Sequence, residues 1–230
     1  KNIHVSLALT VMQRRLTSSI RAITNTLEKR HLALQGILEE IRKNPSLWNQ
    51  RHKLEGFDIE DPEDYDELDD EEKESLENIL SDPRKFKLFT TAKGPKEIED
   101  EANEVRKLYE MAKTLSMRNQ EEQKFKELSK LLESQGVING EKLVIFTEHK
   151  DTLLYLEERL KNTGYKIATI HGGKSVDERR DAQGLFLKEA AILIATDAAG
   201  EGINLQFCRL LINWDIPWNP NRLEQRMGRI

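Results

Sequence analysis

The sequence predicts an α/β protein: a parallel sheet covered by helices, preceded by a mostly helical region. Two observations carry this. From Lys142 onward, short β-branched apolar runs alternate with amphipathic stretches of helical length. The runs are apolar throughout, as strands buried on both faces are. Before residue 140, apolar residues recur instead at helical spacing among charged and polar ones.

Taken in order, Leu7, Leu9, Val11, Met12, Leu16, Ile20, Ile23 and Leu27 predict a first helix, and His31–Lys43 a second. The second ends before Asn44-Pro45, because a residue preceding proline is pushed out of helical geometry. Asp58–Glu74 carries twelve acids against Lys73 alone, which predicts a solvated, mobile linker. Helical patterning resumes over Ser75–Leu80, Lys96–Ser116 and Glu121–Ser134, and Asn139-Gly140 marks a turn. Beyond it come a strand at Leu143–Thr147, a helix at Asp151–Asn162 stopped by Gly164, and a strand at Lys166–Ile170. A helix at Val176–Lys188, strands at Ala191–Ala195 and Arg209–Asn213, and a helix at Asn221–Gly228 complete the series. The division expected is a helical region over 1–140, with its acidic linker at 58–74, and an α/β domain over 141–230.

Composition narrows the function classes. No apolar run approaches the roughly 20 residues that span a bilayer, and Val5–Met12 runs straight into Arg14 and Arg15, unlike a signal peptide. Cys208 is the single cysteine, so an internal disulfide or a cysteine-based zinc site is excluded, and the five histidines lack metal-ligand spacing. A soluble, cytoplasmic protein is the expectation. The net charge of −5 hides segregation: residues 1–57 hold ten Lys/Arg against four acids, and residues 75–230 balance at 25 of each sign. Whole-chain charge therefore says little about partners.

In sheets of this kind ligands sit beyond the carboxyl ends of the strands, and the polar, glycine-rich segments fall there. Ile192–Gln206 (ILIATDAAGEGINLQ) delivers Thr196 and Asp197 to a strand tip, with Gly200 and Gly202 allowing a tight return. Trp214–Ile230 (WDIPWNPNRLEQRMGRI) stiffens its approach with Pro217 and Pro220, then presents Gln225, Arg226, Gly228 and Arg229. Gln225 and Arg229 are four apart and share a helical face; an always-charged planar donor there suits phosphate oxygens. A solvated basic helix end, favoured by the helix dipole, is the plainer alternative for the same residues. Gly173-Lys174-Ser175 imitates the end of a phosphate-binding Walker loop, but Ala168 stands where that motif needs its first glycine.

These segments resemble the C-terminal helicase lobe of superfamily 2. LVIFTEHKDTLLYLEERL is similar to motif IV and its helix, IATIHGG to the following strand and nucleic-acid-contacting turn, ILIATDAAGEGINLQ to motif V, and DIPWNPNRLEQRMGRI to motif VI with the Trp-Asn-Pro lead-in of Swi/Snf-like ATPases. Within that group the wording resembles the bacterial HepA/RapA-like branch, and VMQRRLTSS and EEQKFKELSKLLES fit the helical segment that branch carries at the start of its second lobe.

The resemblance implies a second RecA-like lobe working against a first RecA-like lobe of the same polypeptide, which holds ATP and Mg2+. It implies Arg229 as the first of two arginine-finger residues, the second falling three positions past Ile230, and Gln225, Asn204 and Gly202 as cofactor-facing residues. Thr147, Gly172, Gly173 and Thr196 would contact a nucleic-acid backbone, double-stranded DNA by the Trp218-Asn219-Pro220 lead-in. The function so implied is translocation driven by ATP, with the 230-residue chain by itself inactive. The alternatives are a strand-separating helicase, or a non-catalytic helical module docking a protein partner such as RNA polymerase.

Overall fold

A computed structural model describes residues 3–45, 65, 68, 70–80, 82, 89–117, 122–134, 140–197 and 205–230. The chain divides into two compact units. One comprises Lys1–Leu16, Ala22–Leu68 and Glu72–Gln120; the other comprises Thr17–Arg21, Asp69–Glu71 and Glu121–Ile230.

The first unit contains most of α1 (Ile3–Ser18), α2 (Ile20–Lys43) and α3 (Asp70–Leu80) and all of α4 (Pro95–Met117). Ile23, Leu27, Arg30, Leu34, Ile37 and Ile41 of α2 are buried at alternating spacings of four and three. Ile98, Ala102, Val105 and Ala112 of α4 repeat the pattern, so each helix has a narrow apolar seam and the two seams close on each other. Arg42 meets Glu99 at one end and Tyr109 donates to Glu28 toward the other, so the pair runs antiparallel. Arg30 sits in the seam itself. Its guanidinium donates to the Phe89 carbonyl at 2.9 Å and to Glu101 at 2.7 Å; burial lowers its pKa and Glu101 opposes that.

Two expectations are corrected in this unit. The helix break falls at Ser19, not between Leu27 and His31. Nothing in Leu27-Glu28-Lys29-Arg30-His31 interrupts a helix, whereas Ser18 and Ser19 carry hydroxyls that find partners outside the helical ladder. The acidic segment is not wholly a solvated linker: Asp70–Glu74 opens α3, and Tyr65 is fully buried with Leu7, Val11, Leu76 and Phe89. Arg14 and Lys73 stand 5.1 and 5.2 Å from the Tyr65 ring centre, so one aromatic ring docks this otherwise acidic stretch. Most of 58–69 lies outside the described residues, and so does its expected mobility.

The second unit is built on a four-stranded parallel sheet of order β2-β3-β1-β4, from β1 (Leu143–Thr147), β2 (Ile167–Ile170), β3 (Ile192–Thr196) and β4 (Leu210–Asn213). Successive side chains point to opposite faces. Leu143, Ile145, Ile167, Ile192 and Ile194 meet α5 (Gln123–Ser134) and α6 (Lys150–Lys161) through Phe125, Leu128, Leu132, Leu153, Leu156 and Leu160. Val144, Phe146, Ala168, Ile170, Leu193 and Ala195 meet Ala182 and Phe186 of α7 (Val176–Lys188). A last helix, α8 (Pro220–Met227), follows β4. This is the parallel α/β sheet covered by helices that the sequence predicts, and its strands and helices lie within a residue or two of the expected ranges. Gly140 and Gly164 occupy the left-handed region at φ 98° and 88°, at the expected turn and helix stop. The α/β unit begins at Glu121 where the sequence places a boundary at 140, because α5 gives Phe125, Leu128 and Leu132 to the sheet.

Phe186 is fully buried, tilted against Phe207 at 5.5 Å and capped by the Lys142 ammonium at 5.2 Å. Phe186→Ala should lower the unfolding free energy by about 3–5 kcal/mol in urea denaturation; a loss below about 1 kcal/mol would mean that α7 is not packed as described.

Candidate functional site at the carboxyl edge of the sheet

Parallel register sets the site. Thr147 and Thr196 end adjacent strands as direct partners, and Asn213 of β4 pairs with Phe146. Gly172 and Gly173 follow β2 on the same edge, and α8 starts from the loop after β4. The predicted rim thus gathers Thr147, Thr196, Gly172 and Gly173 at one end of the sheet.

The two threonines differ from the two glycines in access. Thr147 is fully buried and donates its hydroxyl to Asp215 at 2.6 Å; Thr196 is 1% exposed. Neither hydroxyl is open to a strand laid across the rim. Gly172 is half-buried and Gly173 exposed. Arg179 of α7 braces their turn, donating from Nε to the Lys174 carbonyl and from a terminal nitrogen to the Gly172 carbonyl, both at 2.9 Å. A Cβ on Gly173 would come within 3.2 Å of the Lys150 ammonium and 3.4 Å of the His171 ring, which places a cation beside this turn.

The Walker imitation is resolved by hydrogen bonding. Lys174 turns back to donate to the Thr169 carbonyl at 2.6 Å and hydroxyl at 2.9 Å. Ser175 caps α7 in a reciprocal box with Glu178, whose carboxylate the Ser175 backbone and side chain hold below its ordinary pKa. Both side chains serve the fold.

Two polar hubs tie the edge together, and neither is evident from the sequence. Asp215 Oδ2 accepts from the Ser18 hydroxyl (2.8 Å), the Thr147 hydroxyl and the Glu148 amide (3.3 Å), while Lys124 lies 3.4 Å from Oδ1. Ser18 and Ser19 share Thr152 at 2.7 and 2.8 Å, and the Ser18 carbonyl accepts from the Trp214 indole at 2.9 Å. The α1–α2 junction is in this way part of the α/β unit.

Arg226 is the second hub. Only 3% exposed, it forks onto Asp197 through Nε and a terminal nitrogen at 2.5 and 2.7 Å. Its other terminal nitrogen donates to Asn213 Oδ1 at 3.0 Å and the Asp215 carbonyl at 2.7 Å. The guanidinium also lies 5.5 Å from the Phe146 ring centre. The sequence offers three arginines at 222, 226 and 229 in a short helical stretch, and any of them that is buried needs an acid. Asp197, one residue past β3, is that acid.

Of the predicted cofactor-facing residues, Gln225 is exposed on α8 and Arg229 is half-buried two residues past its end. The Arg229 carbonyl accepts from the Leu205 amide at 3.0 Å. Asn204 and Gly202 lie outside the described residues. Among the described residues no group of three or more His, Cys, Asp or Glu side chains converges to hold a metal ion, and no helix is long and apolar enough to cross a membrane. Cys208 is buried on the α7 face, and that burial raises the pKa of its thiol above the ordinary value.

Residues 123–230 match the family model described as the helicase conserved C-terminal domain, and part of the chain is similar in sequence to an ATP-dependent helicase and to RapA proteins. Among its relatives, the Uncharacterized ATP-dependent helicase YqhH of Bacillus subtilis (strain 168) is 48% identical over 90 residues, covering 39% of this chain and 16% of that protein. The RNA polymerase-associated protein RapA of Vibrio parahaemolyticus is 38% identical over 104 residues, covering 44% of this chain and 11% of that one. The chain therefore spans a small part of the relatives it matches. The C-terminal part of the Fun30 ATPase domain aligns at 22% identity over 89% of this chain and 76% of that one, with a TM-score of 0.44. A Sulfolobus solfataricus SWI2/SNF2 ATPase C-terminal domain aligns at 26% identity over 42% of this chain and 44% of that one, with a TM-score of 0.38.

Asp215→Ala should leave the buried Thr147 hydroxyl without its acceptor, lowering unfolding free energy by about 1–3 kcal/mol. Ser18→Ala, which keeps the carboxylate and its other donors, should cost less; equal losses in chemical denaturation would mean that Asp215 is not the hub.

Proposed function

We propose that this chain supplies the second lobe of an ATP-driven translocase on double-stranded DNA. Its partner in the working cleft is the first RecA-like lobe of the same polypeptide, which holds most of the ATP and the Mg2+. The single observation that carries the reading is the placement of α8 and Arg229 at the same sheet edge as the Gly172–Gly173 turn.

Bound ATP supplies a transferable phosphoryl group, and this chain's part is electrostatic. Arg229 offers a permanently charged, planar donor suited to phosphoryl oxygens, and phosphoryl transfer depends on neutralising charge spread over those oxygens. Gln225, Asn204 and Gly202 are proposed to face the nucleotide alongside it. Strand contact falls to the Gly172–Gly173 turn, exposed at Gly173 and with Lys150 close by, and phosphate contacts of this kind hold a strand without reading its bases. Thr147 and Thr196 are buried at the tips of β1 and β3 and are left out of that contact. Because nucleotide and strand meet at one edge, closure of the cleft against the first lobe would shift the gripped strand. The cytoplasm is the proposed compartment. RapA is named as RNA polymerase-associated, and this supports a second role for the helical unit in docking such a partner.

In the full-length parent, Arg229→Ala should lower DNA-stimulated ATP turnover by at least about a hundredfold while nucleotide affinity changes only a few-fold. Arg229→Lys should restore little, since an ammonium lacks the guanidinium fork. Turnover of Arg229→Ala within a few-fold of wild type would remove the residue from catalysis and leave it a helix-end charge. The 230-residue chain alone should release no phosphate from ATP above a heat-killed control. A strand-displacement assay on the full-length protein separates translocation, which predicts no unwinding, from the strand-separating alternative.

A further inference from the structure

We infer that Arg226, through Asp197, is a positioning residue that locks α8 to the tip of β3 and so sets where Arg229 stands. The inference deepens the motor reading above and rests on it.

The geometry is that of a four-point anchor. Two of the Arg226 nitrogens take the Asp197 carboxylate as a fork; the third reaches Asn213 at the tip of β4 and the Asp215 carbonyl in the loop leading to α8. One side chain thus joins two strand tips, the connecting loop and the helix. The carboxylate is also approached by Arg222 at 3.8 Å, one helical turn earlier on the same helix. The Asp197 side chain is 9% exposed and that of Arg226 3%, so the pair is screened little by solvent or salt.

A second tie points the same way. The Leu205 amide donates to the Arg229 carbonyl at 3.0 Å. Asp197 and Leu205 are therefore both fastened to the α8 segment, one by the Arg226 side chain and one by the Arg229 backbone. Arg229 is three residues from Arg226, and its amide donates to the Arg226 carbonyl at 3.3 Å. A shift of Arg226 carries Arg229 with it. Such a group alters the barrier without adding to ground-state affinity, because its neighbour acts on charge that develops during transfer.

The test uses the full-length parent protein with double-stranded DNA and ATP. For wild type, Arg226→Lys, Asp197→Asn, their double variant and Arg229→Ala, kcat, KM and thermal unfolding are measured. Lysine keeps the charge but cannot form the fork, so kcat should fall about tenfold to a hundredfold, as a small misplacement of a catalytic group does. KM should stay within about threefold and the melting temperature within a few degrees. Asp197→Asn also takes the countercharge from a buried guanidinium, so it should show the same kcat-against-KM split together with a lower melting temperature, its kcat being read below that transition. The double variant should be no more than about threefold below the weaker single, since two halves of one device are non-additive. Turnover of Arg226→Lys within about twofold of wild type, additive defects, or a kcat loss that merely tracks a lost melting transition each overturn the inference. If Arg229→Ala is inactive while Arg226→Lys is normal, the inference alone falls. If wild type does not hydrolyse ATP, or Arg229→Ala turns over normally, the motor reading falls and takes the inference with it.

Discussion

A single buried guanidinium organises the edge of this sheet. Parallel strands end together, and each tip leaves polar groups that a packed α/β sandwich cannot hydrate. Arg226 answers several at once because it is planar, permanently charged and able to donate in several directions. Its cost is a buried charge, and Asp197 offsets that with a two-pronged contact. Removing either partner strands the other in a low-dielectric setting, so the pair constrains the fold more than it stabilises it. The loop after β4, the start of α8 and the return to Leu205 all take their positions from it.

Asp215 extends the same logic toward the helical sequence that precedes the lobe. Its carboxylate satisfies Thr147 and the Glu148 amide, and it also receives Ser18 from the α1–α2 junction. With the Trp214 indole donating to the Ser18 carbonyl, the serine pair becomes a structural part of the α/β unit. The hydroxyls that end α1 thus have a second task, and a short segment far away in sequence underpins the rim.

Much of the lobe was legible because its signals are redundant. Leu143–Thr147 and Ala191–Ala195 are apolar runs that read as doubly buried strands, and Gly140 and Gly164 mark turns that take a positive φ. Gly173-Lys174-Ser175 could be rejected for its missing glycine, and Lys174 folding onto Thr169 gives the physical reason it is not a phosphate loop. What stayed hidden depends on pairing across the fold. Nothing local reveals that Tyr65 will bury itself between Arg14 and Lys73 and dock an acidic stretch. Nor does local patterning tell which of Arg222, Arg226 and Arg229 turns inward, since all three fall within eight residues of one short helical stretch. The threonines were recognised by position, but Thr147 turns its hydroxyl onto Asp215, which the sequence presents as one acid in a proline-rich loop.

The account places Arg226 inside, as the anchor, and Arg229 outside, as the group that meets phosphate. A structure of the full-length protein with Mg2+ and a non-hydrolysable ATP analogue tests that division most directly. The account predicts the Arg229 guanidinium within hydrogen-bonding distance of the terminal phosphate, with Arg226 still forked onto Asp197. An Arg226 released from Asp197 and bound to phosphate, or an Arg229 turned away from the nucleotide in a closed cleft, would contradict it.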